Sequence, residues 1–185
     1  MSNEPQAVGC VEVSSVARGL DTADAMVKTA NVRLLAANPV CPGKYVILVG
    51  GSVAEVNAAV SIGTETAVDT LVDSMVIPNV HPQVFMAFTA TTLPETVEAI
   101  GLIETFSTAA SIVAGDQAVK SAQVTLLEIR LARALGGKAY VLLTGEVSAV
   151  RAAVDAGVAA AREQGLLLGS TVIPSPHPDL VARLL

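Results

Sequence analysis

One cysteine of this chain lies in a sequence that favours a tight turn. Cys41 stands between Val40 and the run Pro42-Gly43-Lys44. Proline and glycine are turn-formers and turns lie at the surface, so we expect the Cys41 thiol to face solvent. Thiolate sulfur is the ligand that iron–sulfur clusters use in proteins. Cys41 is therefore either an incidental loop thiol or a candidate metal ligand.

A second loop occupies the equivalent place later in the chain. It contains Leu135 where the first loop has Cys41, and Gly136 and Gly137 follow it before Lys138. The two loops match in position, but only the first carries a thiol. One such cysteine falls short of the three or four thiolates that a cluster needs, and the sequence has no Cys-x-x-Cys motif.

The composition excludes several classes of protein. Of the 185 residues, 52% are hydrophobic but only 3% are aromatic. The longest stretch without Asp, Glu, Lys or Arg runs from Ser74 to Pro94, and its prolines and polar residues argue against a spanning helix. The first residues show no export signal, and two cysteines do not make a disulfide framework. We expect a protein that stays in the cytoplasm and has no contact with a membrane.

The charge distribution argues against nucleic acid as a partner. The formal net charge is −6, and the 11 lysines and arginines are scattered rather than gathered in a basic stripe. Few aromatic residues are present that could stack on bases. Residues typical of a catalytic triad, an acid–base pair or a phosphate-binding loop are not found at suitable spacings, so we predict no enzymatic activity.

The chain contains an internal repeat. Ala7-Val-Gly-Cys-Val-Glu12 returns as Ala99-Ile-Gly-Leu-Ile-Glu104, and Asp24-Ala-Met-Val-Lys28 returns as Asp116-Gln-Ala-Val-Lys120. Small insertions fall between the predicted elements, where loops tolerate them. Two copies of one unit therefore predict two domains, at residues 1–90 and 98–185.

Hydrophobic periodicity predicts the same six elements in each copy. A short apolar strand leads to a helix, then to a hairpin that turns at the Cys41 or Leu135 loop, then to a second helix and a last strand. The first helix should bury Leu20, Ala23, Val27 and Ala30. The order β-α-β-β-α-β is that of the ferredoxin-like fold, so we predict an α+β protein of two tandem ferredoxin-like domains in unpermuted order.

These motifs resemble the bacterial microcompartment shell domain, and they do so twice over nearly the whole chain. The resemblance rests on Ala-x-Gly-x-x-Glu, Asp-x-x-Val-Lys, the Gly-Lys hairpin and the terminal Ile-Pro-x-x-His-Pro. Two domains in tandem resemble the trimer-forming shell proteins, in which three chains imitate a hexagonal tile. Where single-domain members commonly carry an arginine before the last His-Pro, this chain has Asn79 and Ser175.

Cys41 makes the chain similar to the propanediol-utilisation type of tandem shell protein. This resemblance implies a 4Fe-4S cluster on the threefold axis, one per trimer, shared by Cys41 of three chains. It also implies other shell proteins as lateral partners, an encapsulated redox enzyme as a further partner, and a place in a microcompartment shell within the cytoplasm. Lys28 and Lys120 become tile-edge contacts. The loops that surround the central opening contain Val40, Pro42, Gly43, Lys44, Leu135, Gly136 and Gly137.

Symmetry can supply the ligands that one chain lacks. A residue near the axis of a cyclic trimer occurs three times, so Cys41 becomes a ring of three thiolates, and the ammonium of Lys44 would favour thiolate if it approached. Lys28 and Lys120 are equally interpretable as charges that complement helix ends. Cys10 reads as a core residue, and His81 and His177 as turn residues. Glu12 and Glu104 lie on strands, and each needs a partner if it is buried.

Two other functions remain open at this point. The chain could form a shell tile whose central opening conducts a metabolite, with Cys41 merely lining it. Ferredoxin-like repeats could also form a ligand-sensing module.

Overall fold

Each half of the chain folds around a four-stranded antiparallel sheet. The computed structural model describes residues 5–94, 96–132 and 134–184. The strand order is β2-β3-β1-β4 in the first sheet and β6-β7-β5-β8 in the second. The first copy contains β1 Ala7–Val13, α1 Val16–Thr29, β2 Arg33–Val40, β3 Lys44–Gly51, α2 Val53–Ala67, β4 Leu71–Ile77 and α3 Pro82–Ala87. The second contains β5 Ala99–Thr105, α4 Thr108–Ser121, β6 Thr125–Arg130, β7 Ala139–Gly145, α5 Val147–Glu163, β8 Leu167–Pro174 and α6 Pro178–Leu184.

The predicted fold class is confirmed. Both copies follow the order β-α-β-β-α-β, and in both the first strand lies between the third and the fourth. The chain divides into two compact units. The first comprises Met1–Val80 with Ala132–Gly137, and the second comprises His81–Leu131 with Lys138–Leu185.

A helix packs closely on the inner strand β1 of the first sheet and another on the inner strand β5 of the second. All seven residues of β1 are buried. A Cβ atom at Gly9 would lie 2.5 Å from the Val60 side chain, and one at Gly101 would lie 2.7 Å from Val154. A larger residue would push α2 or α5 off the sheet, which explains why the glycine of the repeated motif occurs in both copies.

The second helix of each copy is placed as the periodicity predicts. Ser52 caps α2 by accepting a hydrogen bond from the Glu55 backbone N–H at 3.3 Å. The apolar stripe of α2 and that of α5 are both buried against their sheets: Val56, Ala59, Val60, Gly63 and Ala67 in α2, and Val150, Val154, Gly157 and Ala161 in α5.

The predicted buried face of α1 is wrong in part. Ala23 and Ala30 are buried, but Leu20 is 57% exposed and Val27 is 38% exposed. The buried stripe runs instead through Gly19, Thr22, Ala23 and Met26. Two small residues, Gly19 and Ala23, let α1 lie close to the sheet, and the larger Leu20 and Val27 turn away from it.

Two short helices were not predicted. α3 and α6 begin at the His-Pro pairs, where Pro82 and Pro178 stand at or near the first helical position. Proline is favoured there because a backbone N–H at the first helical position has no partner within the helix. The absence of that N–H in proline therefore costs no hydrogen bond. The strands also run longer than their apolar cores suggest, since β2 continues to Val40 and β8 begins at Leu167.

Candidate functional site: the paired hairpin loops

The Cys41 turn closes the hairpin between β2 and β3. The backbone N–H of Gly43 donates to the carbonyl oxygen of Val40 at 3.1 Å, and Gly43 has φ of 83°. That left-handed conformation favours glycine, as the turn sequence suggested. Cys41 and Pro42 are exposed. Cys41 has no disulfide partner, so its thiol is available to an external ligand.

The second hairpin loop lies beside the first and belongs to the same compact unit. The Cys41 backbone N–H donates to the carbonyl oxygen of Ala132 at 3.3 Å. Gly137 has φ of 88°, and a Cβ atom there would lie 2.9 Å from Pro42 Cδ and 3.2 Å from the Cys41 carbonyl oxygen. Gly137 therefore permits the close approach of the two loops. Leu135 is half-buried beside the exposed Gly136.

Lys44 is committed to a buried partner. Its ammonium lies 2.8 Å from Glu12 Oε1, where Glu12 is fully buried and Lys44 is 18% exposed. The pair joins the glutamate of the Ala-x-Gly-x-x-Glu motif to the lysine of the hairpin. This contact explains structurally why both residues are present in each copy of the repeat. The partner that the sequence required for Glu12 is thereby identified.

The second copy repeats this ion pair in a looser form. Lys138 Nζ lies 3.8 Å from Glu104 Oε1, and the two side chains are 45% and 35% exposed. Water screens such a pair strongly, so it contributes less than the buried one.

Cys10 is confirmed as a core residue. It lies fully buried in β1, opposite Leu48 of β3 and Met75 of β4. Burial raises the pKa of the Cys10 thiol well above its usual value, and the carboxylates of Glu12 and Asp73 add to the rise. Burial also keeps this thiol out of reach of a ligand that approaches from solvent.

The two histidines act at helix starts, as structural residues. His81 Nδ1 accepts a hydrogen bond from the Gln83 backbone N–H at 3.3 Å, and His177 Nδ1 accepts one from Asp179 at 3.2 Å. Both caps follow a residue with positive φ, Asn79 at 53° and Ser175 at 51°. The turn interpretation of both histidines is confirmed, and each turn leads into a helix.

Lys28 and Lys120 lie in the last turns of α1 and α4. Lys28 pairs with Asp24 at 2.5 Å on an exposed surface, whereas Lys120 pairs at 2.6 Å with Asp116, which is fully buried. Both pairs have the i,i+4 spacing, a signal that the sequence already contained. Sequence reasoning missed the aspartates, although they belong to the repeated motif.

A single chain does not assemble a metal site within the described ranges. In residues 5–94, 96–132 and 134–184, no group of three His, Cys, Asp or Glu side chains could hold a metal ion.

Comparison with known proteins identifies the family. The model of the BMC domain matches residues 7–80 and again 99–176. The chain belongs to the BMC domain family. The match covers both copies of the internal repeat, so this is a tandem BMC protein.

Its relatives are shell proteins. The chain is 43% identical over 175 residues to the bacterial microcompartment shell protein PduT of Citrobacter freundii. The match covers 95% of this chain and 95% of PduT. It is 44% identical over 84 residues to the shell protein EutM of Salmonella typhimurium, which covers 45% of this chain and 85% of EutM. A crystal structure of a microcompartments protein from Desulfitobacterium hafniense has 50% identity and a TM-score of 0.87, and the match covers 96% of this chain and 98% of that one.

The BMC family membership fixes the general function. The protein is a structural shell protein of a bacterial microcompartment, and the predictions of a tandem shell protein, of a place in the shell and of no enzymatic role are confirmed. Among the described helices, none is both long and apolar enough to cross a membrane.

Proposed function

We propose that three copies of this chain form a pseudohexameric shell tile and that their Cys41 residues hold one 4Fe-4S cluster on the threefold axis. The cluster would supply one-electron transfer across the shell, with an encapsulated redox enzyme as the donor or acceptor. The observation that carries the proposal is the position of Cys41, a free and exposed thiol at the tip of a hairpin. We retain 1–90 and 98–185 as the two shell domains.

The chemistry of Cys41 fits such a cluster in type and, through symmetry, in number. Thiolate is the ligand that iron–sulfur clusters require, and three equivalent chains provide three of them. A fourth iron would take water or another ligand that is not cysteine. The other cysteine is excluded because Cys10 is fully buried.

The loop around Cys41 is suited to a fixed ligand position. The Cys41 backbone is tied to Ala132, and Gly137 lets the second loop approach. Lys44 lies three residues from the thiol, but its ammonium is paired with Glu12. In this arrangement Lys44 fixes the base of the hairpin and does not supply a free cation to the thiolate.

Replacing Cys41 tests the cluster. The Cys41→Ser variant, prepared anaerobically with full iron supply, should lose its iron, its brown colour and the electron paramagnetic resonance signal of the reduced protein. A serine hydroxyl is rarely ionised near neutral pH, so three of them ligate iron far less well than three thiolates. Wild type should contain about four irons per trimer.

The control is Cys10→Ala, which should keep iron and signal because Cys10 is buried away from the loops. The elution volume of Cys41→Ser should equal that of wild type, since the second loop closes with Leu135 in the equivalent position. Iron and an unchanged signal in Cys41→Ser would refute the cluster assignment.

A tile whose central opening conducts a metabolite is the second candidate. Its support is that Gly43 and Gly136 lie at exposed loop tips, where a Cβ atom would have no atom of the chain within 4 Å. Wild-type protein that stays colourless despite full iron supply would support this function. Its test is the effect of Cys41→Trp, at the exposed tip of the same loop, on substrate entry into intact microcompartments.

A further inference from the structure

The second unit contains a cavity on the face of its sheet that is turned away from α4 and α5. A Cβ atom at Gly115 of α4 would lie 2.9 Å from Ile129 and 3.4 Å from Val141, so α4 packs on those two residues. Their neighbours along the strands therefore point to the other face. There they border a cavity of about 140 Å³, whose lining includes Thr92, Leu93, Leu127, Glu128, Arg130, Leu142 and Leu184. We call it the β6–β7 cavity.

A β-bulge places an apolar and a charged neighbour in this cavity together. The pairing of β6 with β7 shifts its register between Leu126 and Glu128. Adjacent residues of a regular strand point to opposite faces, but a bulge lets Leu127 and Glu128 line the same cavity. Leu127 also packs with Ile100 and Leu142 in a buried cluster. The cavity therefore combines an apolar floor with a charged wall.

The guanidinium of Arg130 is not saturated by its ion pair with Glu128. Its Nε lies 2.6 Å from Glu128 Oε1, but the two groups are too poorly aligned for a hydrogen bond, and Nε is a buried donor without a hydrogen bond in the described part of the chain. A guanidinium has further N–H donors on its terminal nitrogens. Since the Arg130 side chain is 43% exposed, a ligand can reach these donors from solvent.

Tyr140 holds both charged side chains in place. Its hydroxyl donates to Glu128 Oε2 at 2.6 Å, and the guanidinium carbon of Arg130 lies 5.8 Å from the centre of its ring. Burial raises the pKa of Tyr140, and the hydrogen bond to Glu128 adds to the rise, so the phenol stays a donor near neutral pH. The guanidinium is therefore fixed at the wall of the cavity before a ligand arrives.

The first copy has the same strands without this polar cluster. At the positions in β2 and β3 that match Glu128, Arg130 and Tyr140, it has Ala36, Asn38 and Val46. The fold therefore forms without the cluster, and a purely structural role does not account for it.

The size and the lining of the cavity limit the ligand. A cavity of about 150 Å³ holds a benzene molecule, so the β6–β7 cavity holds roughly six non-hydrogen atoms. A guanidinium binds a carboxylate through two parallel hydrogen bonds. At the rim, Leu93 is 78% exposed and Leu184 is 40% exposed, and a short alkyl chain would cover both. An inorganic anion would use the guanidinium but leave the leucines bare.

We propose that the β6–β7 cavity binds a short aliphatic monocarboxylate, with its carboxylate on Arg130 and its alkyl chain among Leu93, Leu127, Leu142 and Leu184. Butanoate has the size that the cavity accepts and serves as the probe. The site uses neither Cys41 nor a second chain, so it goes beyond the proposed cluster and does not depend on it.

Titration of the wild-type protein with butanoate, followed by saturation-transfer NMR, measures the dissociation constant. We expect saturable binding in the millimolar range, roughly 1 to 10 mM for so small a ligand. Butanamide has nearly the same size and no charge, so it should bind at least about tenfold more weakly. Equal binding of the two compounds would overturn the assignment to a carboxylate.

Two substitutions at the charged wall should shift the dissociation constant in opposite directions. Arg130→Met should weaken butanoate binding by at least about tenfold, because it removes the charge and keeps most of the aliphatic stem. Glu128→Gln should strengthen binding by about fivefold, because it removes a like charge while its amide oxygen still accepts from Tyr140. The matched control Arg151→Met removes an exposed arginine of α5 outside the cavity and should change nothing.

Thr92→Phe tests the cavity without altering its charges. The ring should fill the space of the alkyl chain and abolish butanoate binding. Cys41→Ser should bind butanoate as wild type does, so a failure of the cluster assignment would leave this result unchanged. A wild type without saturable binding, or a folded Arg130→Met variant that binds butanoate like wild type, would overturn the proposal. If Arg130→Met does not fold, unchanged binding in Thr92→Phe overturns it instead.

Discussion

Glu12 and Lys44 form the ion pair on which the base of the Cys41 hairpin depends. Their distance of 2.8 Å and the full burial of Glu12 contrast with 3.8 Å and two partly exposed side chains for Glu104 and Lys138. Loss of one partner of a buried pair leaves a charge without compensation, whereas an exposed pair is replaced by water. The glutamate–lysine pair therefore contributes more to stability in the first copy than in the second.

Neutralising each lysine should show this difference. Lys44→Met should lower the free energy of unfolding by about 3 kcal/mol, and Lys138→Met by less than about 1 kcal/mol. Methionine retains most of the aliphatic stem, so the comparison isolates the charge. Denaturant unfolding of both variants measures the effect, and equal losses would contradict the assigned roles.

The helices α1 and α4 show how one element can serve two surroundings. Their sequences share the Asp-x-x-x-Lys pair, but α4 buries ten of its fourteen residues and α1 buries four. The buried Asp116 holds both Lys120 and the backbone of His81, whereas Asp24 and Lys28 face solvent. The two lysines therefore contribute unequally to the stability of the fold, whether or not both act at tile edges.

Single alanine variants separate the edge role from the structural role. We expect Lys28→Ala and Lys120→Ala each to reduce the formation of extended sheets seen by electron microscopy, with the trimer retained. Lys28→Ala should change the free energy of unfolding by less than about 1 kcal/mol because its pair is exposed, while Lys120→Ala should cost more because it leaves a buried carboxylate with fewer partners. If both variants form sheets like those of wild type, the tile-edge role is refuted. The interpretation of both lysines as charges that complement helix ends then stands.

At the scale of the whole molecule, the chain is two copies of one domain with unequal surfaces. In the second copy α3 is hydrogen-bonded to α4 and β6, whereas in the first copy Leu20 and Val27 of α1 and Leu34 of β2 are exposed. An exposed apolar surface on a folded chain is typical of an interface. In the proposed trimer, a closed ring of chains would cover such a surface without leaving a new one exposed.

We therefore expect a homotrimer in solution. Sedimentation equilibrium at micromolar concentration should give three times the mass of the chain, in wild type and in Cys41→Ser alike, because serine is nearly isosteric with the cysteine that it replaces. A monomer or dimer in native buffer would contradict the tile and the shared cluster together.

The amino-acid sequence by itself determined the duplication, the order of the elements, the buried faces of α2 and α5, and the turns at Gly43 and Gly137. These follow from local causes: side-chain periodicity, caps and the conformational freedom of glycine. The glutamates were correctly expected to need partners. The identity of these partners was not predicted, because each lysine is far from its glutamate along the chain.

Only the tertiary structure decided which apolar stripe of α1 faces the core, which helix covers which edge, and where the Lys44 ammonium lies. Leu20 and Val27 fit a helical stripe as well as Ala23 and Met26 do, so periodicity could not choose between the two. The choice was made by close packing, since Gly19 leaves room for the Tyr45 ring 2.4 Å from where its own Cβ would stand. Contacts between residues far apart in the chain settle such choices, and local sequence carries no record of them.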